Sequence, residues 1–437
     1  MERLRILVIA HELSPNQGSE CSVGWNIVTN LSKFHDLTVL YAETNQFNTS
    51  NYKIAVEQYE RENERQNGLN LISIPQPRYT RFLVSLNRLI SQKKSAIGFA
   101  PLFYKGYRAW QKKAYIQART LSKAKSFDIV HQLTAISFRE PGLLWKINTP
   151  FVWGPCSGLV KIPTSFYNEL TKKELAFELL RSIANFMQSH YSHRIIEARK
   201  KARMIYTVTL DDYNYFNTRA SGKVKQMLDV GSFSESIDAL PRVKRNSQLK
   251  LLWIGRVVYT KALDILLYAM NDILNVSQVI ELTIIGDGPL LLNYKSLAQK
   301  LNLNNINWLG SLSHEDVFNH IKDADVLVHT SIKEATSAVI LESLTYGLPV
   351  ICHDAFGMSY AINKTCGIKI PLQSKKESIK GFKKAINDIL KDDSLLNNLS
   401  IGAIQRSKEL SWTSMAEVIA KDYFEISEES KKNKTGQ

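Results

Sequence analysis

The pattern of apolar residues predicts a first set of buried strands. Residues 4–10, LRILVIA, are almost entirely apolar, as in a strand covered on both faces of a parallel sheet. A loop rich in turn formers follows, and then a helical pattern runs from Val23 to Leu31. Five further strand candidates come next: LTVLYA, LNLISIP, DIVHQL, FVWGP and MIYTVT. Helical segments separate most of them, which predicts βαβ units in a doubly wound sheet.

A second series of apolar runs begins at residue 250. Its members are KLLWIG, LTIIG, INWLG, ADVLVHTS, PVICHD and GIKI. Two series predict an α/β fold with two Rossmann-like domains, which we place at residues 1–235 and 236–410. The boundary falls within residues 231–246, where the apolar periodicity lapses. For residues 411–437 we expect a helix packed on the first domain, ending in a disordered tail, SEESKKNKTGQ.

The composition indicates the compartment in which the protein resides and whether it binds a metal. The 437 residues include no stretch of about 18 to 20 apolar residues, the length that a membrane-spanning helix needs. The short apolar run near the N-terminus does not fit a secretory signal. Four scattered cysteines suit a reducing compartment and give no zinc-binding spacing. We therefore expect a cytoplasmic protein with no metal site.

Positive charge is concentrated in residues 78–127, although the whole chain has a net charge of +15. This segment holds twelve Lys and Arg and no Asp or Glu, mixed with apolar and aromatic residues. It is either a solvated helical face, a surface that contacts an anionic membrane, or a nucleic-acid site. No nucleic-acid motif accompanies the charge, so we expect peripheral membrane contact and no nucleic acid.

Candidate chemistry follows the strands of the second series, because ligands bind at the carboxyl ends of parallel strands. Arg256 follows KLLWIG, and Lys261 is expected to open the next helix. Two cations beside a helix N-terminus favour an anion such as phosphate. After LTIIG comes a turn in which Gly286 and Gly288 precede Pro289, and two glycines let a ligand approach the backbone closely.

The segment from Glu334 to Glu342 carries the strongest pattern. Glu334 precedes a predicted helix, and Glu342 lies about two turns within it among apolar neighbours. Free N–H groups at the helix start suit a diphosphate, and carboxylates suit sugar hydroxyls. The residues expected to supply that helix start are Ala335, Thr336, Ser337 and Ala338.

The order and spacing of these motifs across residues 250–354 resemble the retaining GT-B glycosyltransferases, and among them family 4, the glycosyl transferases group 1. The resemblance implies two Rossmann-like domains facing each other across a cleft. It also implies that Glu334 contacts the donor sugar, that Glu342 binds the ribose, and that Arg256 and Lys261 hold the diphosphate. The glycine turn at residues 286–289 matches the family's GxGP turn.

The first domain resembles this family more loosely. Gly18 and Ser19 lie where the family has a glycine-rich loop near the donor phosphate, and His131 matches its active-site histidine. Residues 154–158, GPCSG, follow a strand and are expected to line the cleft. The chain departs from the family pattern with Ala-Thr-Ser at residues 335–337 in place of a Gly-Phe-Gly type sequence. That departure bears on which sugar is used.

The resemblance predicts transfer of a sugar from a nucleoside-diphosphate donor to a glycan or lipid-linked acceptor, with retention of configuration and no cofactor. The expected setting is synthesis of a cell-surface polysaccharide. Two alternatives remain open at this point. One is a sugar-nucleotide epimerase, which shares the GT-B architecture and needs no acceptor, and the other is a non-catalytic nucleotide-responsive binding protein.

Overall fold

The computed structural model describes residues 2–15, 18, 20–47, 49–64, 66–91, 99–233, 239–242, 248–273 and 279–435. Within these ranges the chain forms two parallel β-sheets of seven and six strands, with helices between the strands. The prediction of an α/β fold with two Rossmann-like units is confirmed.

The first sheet is built from the apolar runs at the start of the chain. Its strands are β1 (Arg5–Ala10), β2 (Asp36–Ala42), β3 (Leu69–Ile74), β4 (Ile129–Thr134), β5 (Phe151–Cys156), β6 (Ala202–Thr207) and β7 (Lys223–Gln226). They pair in the order β3-β2-β1-β4-β5-β6-β7. The helices of this domain are α1 (Glu20–Leu31), α2 (Tyr52–Glu62), α3 (Thr80–Ser91), α4 (Ala100–Ala124), α5 (Lys172–Tyr191), α6 (His193–Lys201) and α7 (Leu210–Asn217).

The second sheet repeats the same winding. Its strands are β8 (Leu249–Ile254), β9 (Ile280–Ile285), β10 (Ile306–Gly310), β11 (Val326–His329), β12 (Val350–His353) and β13 (Gly367–Ile370). They pair in the order β10-β9-β8-β11-β12-β13. Its helices are α8 (Leu263–Asn271), α9 (Leu291–Lys300), α10 (His314–Asp323), α11 (Ala338–Thr345), α12 (Met358–Ala361), α13 (Lys375–Lys391) and α14 (Asp393–Glu409).

Both sheets reverse their winding at one point, between β1 and β4 in the first and between β8 and β11 in the second. In open α/β sheets the crevice outside the strand ends at such a point is where ligands bind. A ligand site is therefore expected among the loops after these four strands.

The basic segment at residues 78–127 forms α3 and α4, apart from residues 92–98, which lie outside the described ranges. Helix α4 packs inward through Trp110, whose indole N–H donates to the carbonyl of Ile74 at 3.0 Å. Helix α3 instead leaves Phe82 and Leu89 largely exposed. No helix among the described residues has both the length and the apolar character to span a bilayer.

The C-terminal helix α15 (Trp412–Thr435) follows the second domain but packs against α1 of the first. Its buried residues join the core of the first sheet: Trp412, Met415, Ala416, Ile419, Ala420, Tyr423 and Ile426. The expectation of a disordered tail from Ser427 onward is wrong up to Thr435. Ser427 is buried, and Glu429 pairs with Lys223 of β7 at 2.8 Å, so this end of the helix contacts the sheet.

Replacing Ile419 with alanine tests this attachment. The side chain is fully buried, so the cavity left behind should lower the free energy of unfolding by about 2–5 kcal/mol. Val418→Ala is the matched control, because Val418 is 45% exposed on the same helix and should cost no more than about 0.5 kcal/mol. Urea unfolding monitored by fluorescence measures both, and equal losses in the two variants would contradict the packing described.

Candidate functional site

A cavity of about 640 Å³ lies between the two domains. Glu20 at the start of α1 and Ser137 just after β4 line it from the first domain. Residues 333–336, in the loop after β11, line it from the second. These positions follow the strand ends at which each sheet reverses its winding, so the cavity occupies the expected place for a ligand.

The glycine turn after β9 supports the loop after β8. A Cβ on Gly286 would lie 1.9 Å from the carbonyl oxygen of Gly255, and one on Gly288 would lie 2.3 Å from that of Val257. Gly286 also has a φ of +133°, which only glycine adopts readily. The two glycines are therefore required by the close approach of two backbone segments, whatever contact they make with a ligand.

The predicted cations lie beside this turn. Arg256 is exposed on the loop after β8, and Pro289 is exposed on the turn packed against that loop. A Cβ on Gly255 would be 3.7 Å from the Lys261 side chain, so the turn, the loop and this lysine adjoin one another. Lys261 does not open a helix as expected, because it ends a 3₁₀ turn and Ala262 at φ 45° precedes α8.

Glu334 is ion-paired with Lys261, and both side chains are mostly buried. The pair links the loop around Gly255 to the cavity, which Glu334 itself lines. Without a ligand, each group neutralises the other. An anionic ligand reaching Lys261 would therefore compete with the carboxylate of Glu334.

The loop after Glu334 is fixed by contact with Gly357. The Gly357 N–H donates to the carbonyl of Ala335 at 2.8 Å, and a Cβ on Gly357 would lie 2.4 Å from that oxygen. Ser337 is the N-cap of α11, but no side-chain hydrogen bond caps this helix start among the described residues. Ala335, Thr336 and Ala338 line the cavity, so an uncapped helix N-terminus lies at its edge.

Glu342 has a protein partner that the local sequence pattern does not predict. Its carboxylate lies 3.3 Å from Nε2 of His314, at the start of α10. Burial raises the pKa of Glu342, and the nearby His314 opposes that shift. The burial of this carboxylate therefore does not by itself require a ligand, and its role in binding ribose stays a prediction.

Two carboxyl groups of the first domain also face the cavity. The pKa of Glu20 is raised to about 8 by burial and by the charges of Glu12 and Asp229. Burial raises the pKa of Asp229 to about 6, and the charge of Glu334 adds to the shift. The Thr336 hydroxyl lies by Asp229 without a well-aligned hydrogen bond. Glu20 and Asp229 can therefore hold or accept a proton near neutral pH.

Asp229 was missed because the strand before it was missed. It follows β7, a four-residue edge strand, KVKQ, that has no apolar run. The rule that chemistry follows strand ends would have found Asp229 had β7 been recognised. Residues 154–158 were recognised, and Ser157 and Gly158 line the cavity.

A buried contact between the domains closes one side of the cavity. Glu178 on α5 is ion-paired with Lys333, and the side chains are only 5% and 7% exposed. The same carboxylate accepts a hydrogen bond from the Tyr259 hydroxyl at 2.8 Å. A buried carboxylate is costly unless it is paired, so this contact fixes where the second domain meets α5.

The structure does not support His131 as a residue of the site. Its ring is fully buried, with one nitrogen bonded to the Tyr423 hydroxyl of α15 and the other 2.6 Å from the carbonyl of Gly154. Burial lowers its pKa to about 4. Both ring nitrogens are occupied by the protein, so the match of His131 to a donor-contacting histidine is wrong, and the residue joins α15 to the first sheet.

The glycine-rich loop of the first domain is described only in part. Gly18 is exposed, and a Cβ there would meet nothing within 4 Å. Ser19 lies outside the described residues. No contact of Gly18 within the described ranges links it to the cavity, so the predicted role of this loop stays a prediction.

The match to a known family lies in the second domain. Residues 238–406 match the family model described as glycosyl transferases group 1. The second domain matches a glycosyltransferase family. The matched region contains Lys261, Glu334 and Glu342, together with the glycine turn.

A curated relative is the alpha-monoglucosyldiacylglycerol synthase of Streptococcus pneumoniae, which is 31% identical over 110 residues. That match covers 25% of the chain and 25% of the relative. The alpha-D-kanosaminyltransferase of Streptomyces kanamyceticus is 26% identical over 140 residues, which is 32% of this chain and 36% of the relative. The chain thus matches less than half the length of these curated relatives.

Solved structures match the fold along almost the whole chain. Sucrose-phosphate synthase from Thermosynechococcus elongatus has a TM-score of 0.62 at 14% identity, covering 97% of this chain and 99% of that one. An Anabaena protein solved in complex with UDP has a TM-score of 0.56 at 16% identity, covering 96% and 99%. The fold is therefore the two-domain GT-B architecture.

The raised pKa of Glu20 has a consequence for stability. Between its ordinary pKa of 4.5 and its folded value of about 8, the folded state holds a proton that the unfolded state has lost, so stability falls as pH rises. Glu20→Gln removes this effect. It should have little influence on the free energy of unfolding near pH 4.5 and should stabilise increasingly up to pH 8. Glu57→Gln, at an exposed acid, is the control, and parallel curves for Glu20→Gln and wild type would contradict the assignment.

Proposed function

We propose that the chain is a glycosyltransferase that moves a sugar from a nucleoside-diphosphate donor to a glycan or lipid-linked acceptor. The observation that carries the proposal is the linked set of Lys261, Glu334 and the glycine turn. It lies beside an interdomain cavity, within the region that matches the glycosyltransferase family. The Anabaena structure, solved with UDP, supports a nucleotide-sugar donor for this fold.

The donor diphosphate would lie at the corner formed by the loop after β8 and the start of α11. Arg256 and Lys261 supply positive charge there, and the uncapped N-terminus of α11 supplies free N–H groups. Charge on the leaving phosphate grows as its bond to the sugar breaks, so fixed cations at this point would stabilise the transition state. Glu334 would then be free to accept hydrogen bonds from the donor sugar.

The acceptor would enter from the first-domain side of the cavity, which Glu20, Asp229, Ser137 and Ser157 line. We propose retention of configuration, as in family 4. The acceptor oxygen then attacks from the face that the leaving diphosphate vacates. The new bond joins the acceptor oxygen to the sugar, and the departing phosphate oxygen takes the acceptor proton.

For the acceptor class we propose a lipid-linked sugar or glycan used in cell-surface polysaccharide synthesis, at the cytoplasmic face of a membrane. The exposed apolar residues and cations of α3 and α4 support peripheral contact with anionic lipid. The pneumococcal relative is, by its name, a synthase of a glucosylated diacylglycerol. That name supports an amphiphilic acceptor for related chains.

Lys261→Ala tests the donor site. We expect transfer to fall by at least about 100-fold, because a cation near the leaving phosphate is removed. Glu334 also loses its ion-pair partner, so the melting temperature should fall, and transfer is compared at a temperature at which circular dichroism shows variant and wild type to be folded. Lys380→Ala is the matched control, since Lys380 is an exposed lysine of the same domain. Mass spectrometry of products from a panel of sugar nucleotides and lipid-linked acceptors measures transfer. Full activity in Lys261→Ala would refute the site, and a new sugar nucleotide formed without acceptor would identify an epimerase.

We also propose that the reaction needs no metal or other cofactor, because protein cations and a helix N-terminus already surround the position proposed for the leaving phosphate. Treatment with EDTA should therefore leave the rate of transfer unchanged. The rate is measured as acceptor-dependent release of nucleoside diphosphate before and after chelation. A loss of activity that Mg²⁺ or Mn²⁺ restores would contradict this proposal.

A further inference from the structure

Helix α5 (Lys172–Tyr191) has its polar and apolar faces reversed relative to an ordinary surface helix. The residues that it buries are all polar: Glu178, Asn185 and Ser189. The large apolar residues that it exposes are Phe177, Leu179, Leu180, Ile183, Phe186, Met187 and Tyr191. Surface helices normally bury the apolar side, and an exposed apolar patch of this extent marks an interaction surface.

Hydrogen bonds hold the helix in this orientation. Glu178 is paired with Lys333 and Tyr259 of the second domain, and Asn185 donates to the carbonyl of Gly158 at 2.9 Å. Rolling the helix to bury its apolar face would leave a carboxylate and an amide without partners inside the protein. The exposure of the apolar face is therefore a fixed property of the fold.

The charges around this face are positive. Lys172 and Lys173 are exposed in the first turn of α5, where the helix dipole disfavours cations. Of the two acids of the helix, Glu178 is buried and paired with Lys333, and Glu174 completes the capping box with Thr171. The first turn of α5 therefore carries two exposed lysines against one carboxylate, which is held at the helix start.

Helix α5 also borders the cavity. Phe177 lines the cavity and is 60% exposed, so the apolar face and the cavity mouth are continuous. Arg181, one turn further along, lines the same cavity. A partner seated on the apolar face would thus lie directly beside the cavity mouth.

We propose that α5 lies in the interface of an anionic lipid bilayer, with its apolar residues among the acyl chains and its lysines at the headgroup phosphates. Charge complementarity favours this occupant over a second copy of the chain. Two copies meeting through α5 would oppose lysines of a protein whose net charge is +15. The bilayer would place lipid headgroups at the cavity mouth. That such a lipid is the sugar acceptor rests on the proposed function.

Vesicle flotation tests the proposal with the full chain. The variant carries Leu180→Ser, Ile183→Ser and Met187→Ser, three exposed residues that do not line the cavity. The control carries Leu292→Ser and Ile401→Ser, which are 78% and 50% exposed in the second domain. With vesicles of equal parts phosphatidylglycerol and phosphatidylcholine, we expect wild type and control to float. The triple variant should partition at least about tenfold more weakly with an unchanged melting temperature.

Three results would overturn the proposal. One is triple-variant flotation equal to wild type, and another is equal binding of wild type to pure phosphatidylcholine vesicles. The third is a wild-type dimer in light scattering that the triple variant converts to a monomer, which would assign the face to self-association. The membrane proposal and the proposed function fail in different ways. Flotation without sugar transfer would support membrane binding by α5 and contradict the glycosyltransferase function. Sugar transfer to a soluble acceptor without flotation would support the function and contradict membrane binding.

Discussion

The buried carboxylate of Glu178 is the constraint on which the candidate site depends. A carboxylate removed from water needs a cation and a hydrogen-bond donor, and here both come from the other domain, as Lys333 and Tyr259. The residue after Lys333 is Glu334, so the contact that joins the domains also positions the cavity wall. It further fixes the roll of α5 and thereby its outward apolar face. The domain contact, the cavity wall and the proposed membrane face of α5 therefore all depend on the buried charge of Glu178.

Much of the fold follows from sequence, because strands buried on both faces must be almost wholly apolar. Twelve of the thirteen strands correspond to apolar runs, such as LRILVIA for β1 and KLLWIG for β8. The exception is β7, whose alternating KVKQ has no such run because it lies at the edge of the sheet. The end of α15 was also misjudged, since its charged residues suggested disorder while Ile426 and Ser427 are buried against the first domain.

Positions after strand ends predict which of these residues lie close together, whereas partners from distant segments leave no local signal. Glu334 and Lys261 follow neighbouring strands, and the structure brings them together as an ion pair. His131 also follows from a local pattern, but Tyr423, 292 residues later, occupies its ring nitrogen. Glu178 and Asp229 gave no local signal, because their environment comes from the opposite domain or an unrecognised strand. Sequence reasoning cannot supply partners that only tertiary packing brings close.

We propose that a nucleoside diphosphate binds between the loop after β8 and the start of α11. Hydrogen–deuterium exchange of the full chain, with and without a panel of nucleoside diphosphates, would locate such binding. We expect slower exchange at residues 255–261, 286–289 and 333–342 with at least one nucleotide, and no change in the N-terminal ends of the first-sheet strands. Unchanged exchange in all three segments with every nucleotide would contradict this donor site.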